Sequence, residues 1–324
     1  MSIIYNLQIL RAFAAINVAI LHLIATASAY GFEPKYLSIL SGWGNNGVDV
    51  FFVLSGFIIL HSQLQKKRSF GDFLRFRIIR IVPIYWFVTI ALISCYLIFP
   101  STAFNSRIPS LEHILQSLFF LSSLNNNVSV PVVGVGWTLE FEMLFYIIFG
   151  LSLIFMKWNK SYLFIFLCLI ILTIVTSNFI LIEFLFGMLI AITFNNYKIQ
   201  NKHALIVATV GLLLLLLSIN RSDDIIAFRV AVWGIPSGMI IFGLVYAKQY
   251  DNNFLRYLGD ASYSIYLIHA FIISAFYKVI TISSISINYD LLAIISLFMS
   301  VSCGALMYSY IEKPMTSLIK SKFS

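Results

Sequence analysis

Apolar runs about as long as a bilayer is thick recur along this whole chain, and few folds accept that pattern. A hydrocarbon core of about 30 Å takes roughly 20 apolar residues in a helix. Ten such segments are predicted, near 9–27, 47–63, 81–99, 134–156, 161–178, 179–195, 204–219, 225–247, 258–279 and 291–310. Only 10% of the 324 residues are charged, against about 25% in an ordinary soluble domain. The expected fold is all-α: a polytopic membrane protein of about ten transmembrane helices. No polar stretch is long enough for a separate soluble domain, so 1–324 reads as one membrane domain. The amino terminus lacks the basic region of a cleavable signal, and Arg11 and His22 interrupt its apolar run.

The basic residues orient the segments. With the amino terminus inside, 16 of the 21 basic residues face the cytoplasm. They include Arg11, the cluster from Lys66 to Arg80, and Lys313, Lys320 and Lys322. Lys35, Arg107, Arg221, Arg229 and Lys278 fall outside. Such a bias predicts both termini in the cytoplasm. It also explains the net charge of +8 without any nucleic-acid partner. Cys95, Cys168 and Cys303 lie in apolar runs and have no metal-site or disulfide spacing. In the longest external loop, 110–124 is expected to form an interfacial helix started by Pro109 and Ser110.

Against this background the ionisable residues inside segments are costly, about 2.5 kcal/mol or more each at the bilayer centre, and mark function by default. The first segment carries Arg11 near its start and His22 well inside. Eleven residues of helix separate them by about 16 Å. The second opens on a glycine-rich stretch leading to Asp49. Asp49 there either caps a helix, where the dipole favours a carboxylate, or belongs to a site. The fourth carries Glu140 and Glu142, two residues apart and so pointing in different directions. By depth, His22, Asp49 and Glu142 fall in the outer half of the membrane. An imidazole beside a carboxylate is what a general base needs. The same trio also suits a proton relay in a transporter.

At the cytoplasmic side, Arg77 and Arg80 are three apart and share a helix face just before Pro83 and Trp86. They read either as phosphate-binding guanidinium groups or as topology anchors. In the ninth segment Ser262, Tyr263 and Tyr266 are expected to form a polar stripe, with Ser262 pairing with Tyr266. His269 near mid-membrane reads as a hydrogen-bonded packing residue. Glu183 and Arg229, both just inside the outer face, read as a structural ion pair. Glu312 and Lys313 are expected at the cytoplasmic surface, with Pro314 ending the last helix.

Taken together, these motifs resemble the acyltransferase-3 family of integral membrane acyltransferases. The match is in their order: Leu10-Arg11 and His22; Gly47-Val-Asp49 leading to Ser55-Gly56-Phe57; Arg77, Arg80 and Pro83; Trp137-Thr-Leu139 with Glu142 and Phe145-Tyr146; Leu258-Gly with Ser262-Tyr263, Tyr266 and His269; and Glu312-Lys-Pro314. Thr138 stands where the family usually has serine, and the hydroxyl is kept. The resemblance implies transfer of an acyl group, commonly acetyl, from cytoplasmic acyl-CoA to an extracytoplasmic glycan such as O-antigen, capsule or exopolysaccharide. It implies a catalytic His22 on the first helix, paired with Arg11. It implies a bacterial inner membrane as location, and a stand-alone form without the esterase-like domain of some relatives. The expected chemistry has Arg11, Arg77 and Arg80 holding the donor nucleotide and His22, oriented by Glu142 or Asp49, acting as base on a sugar hydroxyl. The partners expected are acyl-CoA, a carbohydrate or lipid-linked acceptor and membrane lipid, with no resident cofactor or metal. An acyl-enzyme on Ser55, Thr138, Tyr263 or Tyr266 is equally open. The rival class is a proton-coupled exporter of a glycan or lipid, although no inverted repeat or paired broken helices are visible.

Overall fold

The computed structural model describes residues 4–98, 109–124, 130–155, 158–219, 228–283 and 287–322. Among these residues there are thirteen α-helices and no strand. They are α1 (Tyr5–Ala29), α2 (Asn46–Gln65), α3 (Phe70–Ile98), α4 (Leu111–Leu118), α5 (Trp137–Phe155), α6 (Trp158–Thr176) and α7 (Ile182–Asn196). There follow α8 (Asn201–Leu217), α9 (Ile235–Tyr246), α10 (Asn253–Asp260), α11 (Ser262–Ser283), α12 (Tyr289–Met307) and α13 (Lys313–Ser321). Seven helical stretches are long and apolar enough to cross a membrane, those built on α1, α2, α3, α5, α7, α11 and α12. Three shorter apolar stretches, Tyr162–Thr176, Asn201–Leu217 and Val230–Tyr246, coincide with the remaining predicted segments. The chain is a multi-pass membrane protein. Arg107, Lys157 and Arg221, and the first residues of the 225–247 segment, lie outside the described residues.

Helix α1 is the hub. It packs against α2, α9, α10, α11 and α12. Its small residues Ala12, Ala14, Ala15 and Ala19 are all buried, which lets neighbouring backbones come close. The tightest seam is between α2 and α7. A Cβ on Gly56 would meet the Phe184 carbonyl oxygen at 2.1 Å, and one on Gly187 would meet that of Val53 at 2.0 Å. By contrast α8 turns Leu205, Leu212, Leu213, Leu214, Leu216 and Leu217 outward. In water so large an apolar patch would be a liability; against lipid it is the expected surface.

Several boundaries differ from the sequence expectation. Helix α3 begins at Phe70 and runs unbroken through Pro83, so Arg77 and Arg80 stand on the spanning helix itself. The ninth segment divides at Ala261, between α10 and α11. Pro314 does not end the last helix: a π-turn over Tyr308–Glu312 precedes it, and the proline sits in the first turn of α13. Proline is favoured there because a first-turn N–H has no intrahelical acceptor to lose. The loop helix α4 is shorter than 110–124, but Ser110 starts it as expected, accepting from the His113 backbone at 3.2 Å. The hairpin between α6 and α7 turns at Ser177, whose φ is 53°, and Asn178 caps the next turn.

Candidate active site: two cavities along the first helix

The polar side chains gather into two cavities. The first, with about 790 Å³ of empty space, is lined by Arg11 from α1, Ser55 from α2, Arg77 and Arg80 from α3, Thr138, Glu142 and Tyr146 from α5, and Ser262, Tyr263 and Tyr266 from α11. The second is larger, about 1300 Å³, and mostly apolar. His22 from α1 lines it, together with Phe87, Leu92, Cys95 and Tyr96 from α3, residues Val132 to Val135 before α5, and Leu267, Ile268 and Phe271 from α11.

The first cavity joins the three predicted arginines on two helices. Neither the Arg229–Asp49 nor the Arg256–Asp251 ion pair involves Arg11, Arg77 or Arg80. Arg11 donates to Gln8 Oε1 at 3.3 Å and Arg77 to Ser62 Oγ at 3.4 Å. The Arg77 guanidinium also lies over the rings of Phe73 and Tyr146, at 5.7 and 5.4 Å from their centroids. Three guanidinium groups thus face one pocket, a geometry able to meet the oxygens of an anion.

Glu142 shares this pocket. Its Oε1 accepts from Ser55 Oγ at 2.6 Å and from the Tyr146 hydroxyl. Two donors offset the cost of holding a carboxylate away from water. Glu140, two residues earlier, points elsewhere as predicted. It accepts from the backbone N–H groups of Ser122 and Ser123 at 3.0 and 2.8 Å and from the Ser123 hydroxyl. Glu140 therefore ties down the loop before α5, while Glu142 faces the pocket.

The expected trio of His22, Glu142 and Asp49 does not assemble, because each carboxylate is engaged elsewhere. Asp49 is fully buried and held by Arg229 at 3.0 and 2.8 Å. It lines neither cavity. The expected Glu183–Arg229 pair is also replaced: Arg229 bridges to Asp49, and Glu183 lies beside them with Gly234 against its carboxylate. The group that meets His22 is His269, with Nε2 3.1 Å from His22 Nδ1. The two rings stand edge to face, their centroids 4.9 Å apart. The sequence reading of His269 as a hydrogen-bonded packing residue did not anticipate this contact with His22.

A thin wall separates the cavities. The Tyr266 hydroxyl donates to the Val135 carbonyl at 2.9 Å and shares a bond with Thr138 Oγ1 at 2.8 Å. Tyr266 thus faces the arginines on one side, while Val135 faces His22 on the other. The expected Ser262–Tyr266 pairing is not made, although both residues line the first cavity. Tyr263 crosses to α3, donating to the Ile81 carbonyl at 2.9 Å. Glu312 accepts from Ser264 Oγ at 2.6 Å.

A family model described as an acyltransferase domain matches residues 4–309. The chain belongs to that acyltransferase family. It is 30% identical over 300 residues to the exopolysaccharide production protein ExoZ of Rhizobium meliloti (strain 1021), an alignment covering 84% of this chain and 89% of that protein. It is 27% identical over 183 residues to the O-acetyl transferase of Shigella phage Sf6, covering 52% of this chain and 51% of the phage protein. No solved structure matches. The match spans all the helices that build the two cavities, so this membrane acyltransferase has its polar constellation inside the family domain.

Proposed function

We propose that this protein is an O-acyltransferase that moves an acyl group, acetyl in the simplest case, from acyl-CoA to a hydroxyl of a cell-surface polysaccharide or its lipid-linked precursor. In this reading ten helices span a bacterial inner membrane with both termini in the cytoplasm, as the basic residues favour. The donor is a substrate, and no cofactor stays bound.

One observation carries the reading: α1 runs unbroken from Tyr5 to Ala29 and presents Arg11 to one cavity and His22 to the other. The rise between them, about 16 Å, suits the extended arm of a CoA thioester. The guanidinium groups of Arg11, Arg77 and Arg80 hold the donor phosphates. The acyl end passes the Tyr266 wall toward His22. There the imidazole takes the proton of the acceptor hydroxyl as its oxygen attacks the thioester carbon. The C–S bond breaks, the C–O bond forms, and the proton moves on to the departing CoA thiolate. The acceptor's polysaccharide nature follows the name of the ExoZ relative, and the hydroxyl follows that of the phage O-acetyl transferase.

The test is mass spectrometry of surface glycans from cells with and without the protein. A loss of one acyl unit per repeat is expected in its absence and in His22→Ala. Full acylation with His22→Ala in the membrane would end the proposal.

A further inference from the structure

The contacts of the two facing imidazoles determine where their protons sit. His269 is completely buried, and its Nδ1 lies 2.7 Å from the Tyr266 carbonyl oxygen and 3.3 Å from that of Ile265. A carbonyl only accepts, so Nδ1 carries the hydrogen, and in the neutral ring Nε2 is left as a lone pair. His22 Nδ1 lies 3.0 Å from the Val18 carbonyl oxygen and 3.1 Å from that Nε2. Both are acceptors, so His22 Nδ1 also carries its hydrogen, shared between them. The remaining nitrogen of His22, Nε2, is bare on a half-buried ring that lines the larger cavity.

We infer that His269 is a positioning residue for His22. Together with the Val18 carbonyl it accepts the Nδ1 hydrogen and so favours the tautomer that offers a basic Nε2 to the cavity. The inference rests on the reading of His22 as the base. Without His269 the Val18 carbonyl is the remaining acceptor for that hydrogen, and one hydrogen bond instead of two holds the ring's turn about χ2. When His22 takes up a proton on Nε2, the His269 lone pair remains opposite Nδ1–H and supports the imidazolium. A carboxylate does this work in the familiar triad. In the membrane a neutral acceptor achieves the orientation without adding a second ionised group to desolvate. The same backbone carbonyl that orients His269 belongs to Tyr266, the wall residue between the cavities, so α11 fixes wall and base together.

The experiment uses full-length protein in membranes of cells making the endogenous glycan, supplied with radiolabelled acetyl-CoA. Label incorporated into glycan is followed as donor concentration varies. His269→Leu removes the acceptor and should lower kcat about 10- to 100-fold, by analogy with losing the outer hydrogen-bond partner of a metal-ligating histidine, with donor KM within about twofold. His269→Gln places an amide oxygen near the old Nε2 and should restore at least a third of the lost rate. Thermal melting of detergent-solubilised protein checks that each variant is folded. Two results overturn the inference: unchanged kcat in His269→Leu, or no recovery in His269→Gln at equal folded amount. Full activity of His22→Ala instead overturns the assignment of the base, so the two failures are distinguishable.

Discussion

Arg229 grips Asp49 through two parallel bonds, Nε to Oδ1 at 3.0 Å and a terminal nitrogen to Oδ2 at 2.8 Å. The same guanidinium also donates to the Asn45 carbonyl at 3.3 Å, and it lies 5.3 Å from the centroid of the Trp233 ring. It thereby pins the start of α2 to the π-turn over Val230–Gly234 that leads into α9. Removing one partner of a buried pair leaves the other charge uncompensated, at about 3–5 kcal/mol. Arg229→Met should therefore lower the melting temperature sharply, and Asp49→Asn added to it should recover part of the loss. Glu183 is a second acid beside a pair that is already balanced, so Glu183→Gln should be neutral or stabilising. A Glu183→Gln protein that melts well below the parent would contradict this account of the cluster.

The two glutamates of α5 should separate stability from activity. Glu140 accepts three hydrogen bonds from the Ser122–Ser123 turn, and bonds to a charged group are worth about 1.5–3 kcal/mol each. Glu140→Ala should lower the melting temperature and expose the segment before α5 to protease. Glu142→Gln keeps the shape and can still accept from Ser55 and Tyr146 while removing charge from the arginine pocket. Its melting temperature should stay within a few degrees while acyl transfer changes. Limited proteolysis and the radiolabel assay, run side by side, decide whether the roles divide this way.

The part of this molecule legible in the sequence is the part set by composition along the chain. Ten apolar segments stand out by length, and seven of the stretches observed pass a spanning criterion outright. Depth along each segment also brought Arg11, Arg77 and Arg80 together, because all three lie near the same end of their helices. What depth cannot supply is azimuth. One residue turns a helix by about 100°, so His22, Asp49 and Glu142 can share a level and face three different neighbours. That is why His269 and Arg229 were not assigned as the partners of His22 and Asp49. Glu140 and Glu142 diverged as expected because their offset is within one helix, where spacing does fix direction. Pro314 was misread because proline stops one helix and starts another with equal ease, and the sequence does not say which.

The α2–α7 seam gives a packing prediction with a steep sign. A Cβ at Gly187 would stand 2.0 Å from the Val53 carbonyl oxygen and 2.5 Å from the Phe57 nitrogen. Both are backbone atoms, so the helices must separate to admit it. Overpacking typically costs about 1–3 kcal/mol, and here the obstacle has no side-chain rotamer to relax into. Gly187→Ala should reduce the folded yield in membranes and the melting temperature. Gly134→Ala should leave both unchanged, since nothing lies within 4 Å of the added carbon. Equal behaviour of the two variants would show that the seam is looser than this geometry.

Arg77 tests the anion pocket most cleanly. Its guanidinium lies over the rings of Phe73 and Tyr146, which themselves meet edge to face with centroids 6.3 Å apart, and Tyr146 in turn donates to Glu142. A planar fork held by ring faces can offer both edges to a phosphate, whereas a lysine ammonium is a point charge on a flexible stem and stacks poorly. Arg77→Lys preserves the charge that topology requires, so a pure anchor would tolerate it. A donor-binding arginine would not: a lost bidentate contact of about 1.5–3 kcal/mol corresponds to roughly a 10- to 100-fold rise in donor KM. The expected result for Arg77→Lys is therefore a raised KM for acetyl-CoA at normal protein level, with kcat at saturating donor changed far less. Donor KM unchanged from the parent would assign Arg77 to anchoring and leave the phosphates to Arg11 and Arg80.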